Sequence, residues 1–218
     1  MRTPTKLLAG AGGVALCAAA ALLAPGLGLS AADHLDPPQR TDPNVDPTPD
    51  RAADIADVYA WSEGGNTNIA VTFAGPAPTD RPATYDRDVL YRVYLSTDGN
   101  ALNTERVIEV RFGKDGTGNN GVRADGLPVV GTLVGPVETD LTQGAVKFRA
   151  GLFDDPFFFD LQGFKETRDT GTLQFDSERD FFANANATAF VMQFPTESLG
   201  ASGAITVWAD TRRFGGQL

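Results

Sequence analysis

Six aspartates and one histidine in this 218-residue chain are spaced so that they could do chemistry. Asp33, His34 and Asp36 form one group, Asp54 and Asp57 a second, and Asp154 with Asp155 a third. Carboxylates gathered at corners of a fold suit Ca²⁺, which takes six to eight oxygen ligands. Two of them across an open cleft, roughly 5–10 Å apart, would instead suit acid/base work on a glycosidic bond. The third group sits in the most unusual stretch of the chain, Gly151-Leu-Phe-Asp-Asp-Pro-Phe-Phe-Phe-Asp-Leu161. There the plainer expectation is that Asp154 and Asp155 cap backbone N–H groups as the chain turns. Asp54 and Asp57 are three residues apart and would point to opposite faces of a regular strand, so one ion could use both only across a bulge. Tyr59 and Trp61 beside them read as sheet-face or core residues rather than a sugar platform.

Weaker signals surround these. Asp115-Gly-Thr-Gly-Asn-Asn-Gly121 has oxygen donors at alternate positions but lacks the glycine register and final Glu of a calcium loop, and is expected to be a flexible surface loop. His34 is the sole imidazole, so any Ser-His-Asp or His-metal mechanism must use it. Cleavage after Ala31 would place it third from a free amine, an arrangement that chelates Cu²⁺ or Ni²⁺. No phosphate-binding glycine loop or nucleophile elbow is present.

Composition bounds what these groups can serve. Residues 1–32 read as a secretory signal peptide: Arg2 and Lys6, an Ala/Leu-rich apolar run, Pro25-Gly26, then Ser30-Ala31-Ala32. They hold two of the 18 basic residues and none of the 28 acidic ones, so the exported chain is strongly acidic. That charge argues against nucleic acid or an anionic lipid surface as partner, and no second apolar run is long enough for a membrane span in the mature form. Cys17, the only cysteine, falls inside the signal core, which removes disulfides, thiolate zinc and cysteine nucleophiles from the mature protein.

The elements that must position the acids follow from periodicity. Residues 33–53 form a proline-rich, irregular lead-in, and 54–218 a single β-rich domain. Residues 67–73 alternate with Ile69, Val71 and Phe73 on one face; 89–95 and 106–112 do the same. Glu63-Gly64-Gly65-Asn66 is a hairpin turn. Residues 113–126 read as a long exposed loop. Further strands are expected at 129–134, 145–149, 157–161, 188–194 and 205–209. The 157–161 strand would be buried on both faces, since Phe158 opposes Phe157 and Phe159. Helix is scarce, a turn or two at 177–183 or 196–199. The expected fold is all-β: an antiparallel β-sandwich, jelly-roll or carbohydrate-module-like, with long loops and little helix.

Several segments together resemble a bacterial exported family known as domain of unknown function 4331. They are Asp33-His34-Leu-Asp36-Pro37, Ala53-Asp54-Ile-Ala-Asp57-Val-Tyr59-Ala-Trp61, Asp88-Val-Leu-Tyr91, the 151–161 stretch, Asp180-Phe-Phe-Ala-Asn-Ala-Asn and Ile205-Thr-Val-Trp208-Ala-Asp-Thr211. The resemblance identifies the chain as a short version of that family and implies export and a β-rich domain, without an activity.

The leading expectation is an exported, periplasmic or extracellular, non-enzymatic sandwich that binds Ca²⁺ or a small ligand through Asp33, His34, Asp36, Asp54, Asp57, Asp154 and Asp155. One alternative is a carboxylate-dependent enzyme acting on glycans. The other is an envelope or matrix interaction module, which would show an exposed aromatic patch.

Overall fold

The computed structural model describes residue 38 and residues 47–214. The signal-peptide segment, Asp33, His34 and Asp36 lie outside the described residues. The described chain divides into two compact units, residues 160–181 and the rest.

The larger unit is an all-β sandwich. Its strands are β1 (Ile55–Glu63), β2 (Asn66–Pro78), β3 (Val89–Ser96), β4 (Arg106–Lys114), β5 (Asn120–Leu127), β6 (Gly131–Pro136), β7 (Leu141–Gln143), β8 (Val146–Asp154), β9 (Ala185–Pro195) and β10 (Thr206–Arg213). They form two antiparallel sheets of five strands, in the orders β1-β2-β9-β8-β7 and β10-β3-β4-β5-β6. Gly64 and Gly65 both take positive φ, +56° and +81°, which makes the β1–β2 connection the two-residue turn whose twist suits a hairpin.

Alternating apolar residues build the core. Ile69, Val71 and Phe73 of β2 and Phe190, Met192 and Phe194 of β9 face Tyr91, Val93 and Leu95 of β3 and Ile108, Val110 and Phe112 of β4. Phe73 and Tyr91 rings lie 4.4 Å apart, with Phe112 and Phe190 each 5.8 Å from Tyr91. Each such side chain contributes about 1.5–3 kcal/mol by leaving water. The Tyr91 hydroxyl donates to the Ala52 carbonyl, and burial pushes its pKa well above the usual phenol value.

Two local expectations are corrected. Residues 113–126 are not a long loop: only 115–119 connect β4 to β5, and Val122, Ala124 and Leu127 of β5 are buried. Gly126, with φ +80°, serves a bulge between Asp125 and Leu127. Residues 157–161 are not a strand. Pro156 has no N–H to give a ladder, the Phe157 N–H donates to the Asp155 carboxylate instead (3.1 Å), and Phe158 is 61% exposed. Phe157 still meets Phe159 (5.6 Å) and Phe182 (5.3 Å). The helical turn expected at 177–183 or 196–199 is found at 196–199, as a 3-10 helix, while 177–183 hold turns and irregular chain.

The smaller unit is built on α1 (Leu161–Thr170). The Asp160 carboxylate caps it, accepting from the N–H groups of Gly163 and Asp176 at 2.8 Å each, and forms an ion pair with Arg179, whose Nε lies 2.8 Å away. Gly171 ends it. In the lead-in, residues 51–53 turn as a 3-10 helix with Ala52 buried, and the Asp50 N–H donates to the Pro38 carbonyl at 2.6 Å.

Candidate functional site

The bulge that Asp54 and Asp57 would need is present. The β1–β2 register slips by one residue between Ile55 and Asp57, so that Asp57 faces Thr72. Asp54 precedes the slip and is buried, its carbonyl accepting from the Ala74 N–H. The Asp57 N–H donates to Thr72 Oγ1 at 3.0 Å, and its carboxylate accepts from the Tyr59 hydroxyl at 3.0 Å. Burial, then the charge of Asp57 and its hydrogen bond, then the charge of Asp155 push the Tyr59 hydroxyl well above its ordinary pKa. Two of the sequence-predicted acids therefore act on one phenol.

Asp154 and Asp155 part company. Asp154 is exposed at the end of β8 opposite Asn186, whereas Asp155 is buried and bonded through its N–H to the Ala185 carbonyl. Its carboxylate caps Phe157, as expected of a turn aspartate. Among the described residues, no three His, Cys, Asp or Glu side chains gather to hold a metal ion.

The sequence puts Trp61 on a sheet face or in the core and sets a sugar platform aside; what it does not show is which residues of the other strands share that face. On the first sheet, register places Trp61, Asn68, Gln193, Lys147 and Thr142 in one row across all five strands. Their chain neighbours Ile69, Met192 and Phe148 point into the core, so this row faces outward. Trp61 is 45% exposed and has no ring partner among the described residues. Gln193 Nε2 donates to Asn68 Oδ1 at 2.8 Å. Asn68 is only 4% exposed, and its Nδ2 has no acceptor among the described residues. A buried donor left so costs about 1–3 kcal/mol. The available signal was the alternation itself, which puts Trp61 in phase with Tyr59 and out of phase with Val58.

The second sheet's outer face is different because its polar groups are satisfied. Trp208 stacks on Tyr94 (5.5 Å between centroids, 10° between planes). Arg92 makes two bonds to Asp210, at 2.8 and 2.5 Å, and lies 5.0 Å from the Tyr94 ring centre, whose hydroxyl also donates to Asp210. The hydrogen bond from Arg92 holds the Asp210 carboxyl below the usual carboxylate range. A cavity of about 350 Å³ lined by Tyr85, Arg87, Phe112, Lys114 and Asn120 lies elsewhere on the sandwich unit.

No model of a known protein family, no curated protein and no solved structure matches this chain.

Proposed function

We propose that this protein is an exported, non-enzymatic β-sandwich that binds a small ligand on the outer face of its first sheet. One observation carries this reading: Trp61 stands exposed and without a ring partner among the described residues, while the core is filled by Phe, Tyr and aliphatic side chains. Large rigid aromatics at partly exposed positions are the usual anchors of binding sites. Binding is favoured over glycan hydrolysis because a hydrolase needs two acids across an open cleft, whereas Asp54 and Asp155 are buried and the Asp155 carboxylate is spent on the Phe157 N–H. Export rests on the composition of residues 1–32, and N-terminal sequencing of protein from its host tests it. Membership of the family known as domain of unknown function 4331 rests on the quoted segments.

The binding reading is tested with the Trp208→Phe variant, whose sole tryptophan is then Trp61 in the mature chain. Sugars, dicarboxylates, amino acids and nucleosides are titrated while emission and melting are followed. A class that shifts both supports the reading; a panel that shifts neither overturns it.

A second reading, a Ca²⁺ site, is favoured by Asp57 and Asp155 acting on one hydroxyl. An ion bound only by the folded state raises stability by about 2.7 kcal/mol at a hundredfold excess over Kd. The melting temperature is expected to rise in Ca²⁺ and fall back in EDTA. A midpoint indifferent to both removes this reading.

A further inference from the structure

We infer that the ligand is a linear oligosaccharide lying across the first sheet along Trp61, Asn68, Gln193, Lys147 and Thr142; this rests on the binding reading above. The five residues stand opposite one another in consecutive strands. Neighbouring strands are about 4.8 Å apart, so the row runs about 19 Å, enough for several pyranose rings in line.

The chemistry of the row matches a sugar chain. An indole face takes the C–H side of a pyranose ring. Two carboxamides, an ammonium and a hydroxyl then meet hydroxyls that both donate and accept. Asn68 supplies an observation independent of the aromatic ring. Its Nδ2 is a buried donor without an acceptor among the described residues, held beside Gln193, whose own amide is half-buried. A ligand oxygen reaching this amide pair would remove that deficit.

Charge selects among occupants. The row contains one ammonium and no carboxylate, and its face carries Asp57 and Glu63 beside Trp61 and Arg149 beside Lys147, so the signs balance and a strongly charged peptide of either sign gains no net attraction here. Polyanionic nucleic acid is disfavoured by the charge of the whole chain. An apolar partner would have to desolvate two amides and an ammonium for one indole. A neutral, hydroxyl-rich chain meets none of these penalties. Trp208 shows the contrast, since its face is already stacked on Tyr94.

Calorimetry with cellohexaose, laminarihexaose, maltohexaose and chitohexaose tests the inference on the full mature chain. At least one is expected to bind, with a shift in Trp61 emission in the Trp208→Phe variant. Trp61→Ala should weaken it at least tenfold, and Gln193→Ala and Lys147→Ala severalfold, with melting little changed. Lys147 is exposed, so its truncation reports on binding even if Trp61→Ala folds poorly. Trp208→Ala should leave affinity unchanged. Binding that survives the Trp61 and Lys147 substitutions, or that is lost only with Trp208, overturns the inference. If no hexasaccharide binds while another class in the broader panel shifts Trp61, the sugar assignment fails and the binding face stands. If nothing shifts Trp61, both fail.

Discussion

At the scale of single residues, Asp115 shows how a polar side chain can satisfy its own loop. Its carboxylate accepts from the Thr117 N–H (2.8 Å), Thr117 Oγ1 (2.7 Å), the Asn119 N–H (2.9 Å) and Asn119 Nδ2 (3.1 Å). The Thr117 hydroxyl, then the Asn119 and Thr117 donors, hold its carboxyl down to about 2. A depressed folded-state pKa contributes order that is fully present above the ordinary carboxylate value, about 3.9, and is lost as pH falls through the folded value. In an acid titration followed by NMR, the Thr117 and Asn119 amide shifts are expected to move with a midpoint near 2; a midpoint near 4 would show the bonds absent. Tyr91 is the buried counterpart. Tyr91→Phe keeps the ring packing but leaves the Ala52 carbonyl without its donor, an expected loss of about 1–2 kcal/mol in chemical denaturation. The oxygen-rich spacing of 115–121 was legible in the sequence. That the oxygens would be spent on local N–H groups was not, because hydrogen-bond direction depends on the turn the loop adopts.

At the scale of elements, what could be read was what alternates. Ile69-Val71-Phe73 and Ile108-Val110-Phe112 announce strands because one face must be apolar and the other wet. Strand β5 hid because its inward positions, Val122 and Ala124, are diluted by glycines and charges, and its phase slips at Gly126. A Cβ at that position would lie 2.2 Å from the Val107 carbonyl oxygen, and its φ of +80° suits glycine alone. Gly126→Ala is therefore expected to cost about 1–3 kcal/mol, read as a lower denaturation midpoint at unchanged m. Helix α1 hid for a different reason: Gln162-Gly-Phe-Lys-Glu-Thr-Arg-Asp-Thr170 has no apolar stripe, so its only markers are the caps. Asp160 and Gly171 bracket ten residues as a start and a stop. Asp160→Ala should then raise amide exchange throughout 161–176 while β2 and β9 amides stay protected; equal protection in that segment would mean the cap is dispensable. The Phe157–Phe159 run misled because three apolar residues in succession look doubly buried, whereas the preceding proline removes the ladder donor.

At the scale of the whole sandwich unit, two acids that acidic spacing never flagged are joined by one cation. Arg213, at the end of β10, bonds both carboxylate oxygens of Asp50 at 2.5 Å and one of Asp86 at 2.9 Å. Asp50 precedes β1 and Asp86 precedes β3, so the guanidinium ties both to the last strand. The side chains of Arg213, Asp50 and Asp86 are 12%, 4% and 18% exposed, which makes this a partly buried triad and not a surface pair. The hydrogen bond that Arg213 donates to Asp50 is the main reason its pKa lies above the ordinary guanidinium value. Desolvating three ions is costly, so the triad need not add net stability, but removing only its cation leaves two carboxylates facing each other out of water. Arg213→Met is expected to cost about 3 kcal/mol, the low end for breaking a buried pair, because Asp86 keeps some solvent. Adding Asp50→Asn and Asp86→Asn in the same chain removes the stranded charges and should recover at least half of that loss. Both effects should persist in 0.5 M salt, since a partly buried pair is screened much less than a surface one. A single variant as stable as the parent, or a triple variant less stable than the single, would show that the three groups are solvated and that residues 50, 86 and 213 are held by packing alone.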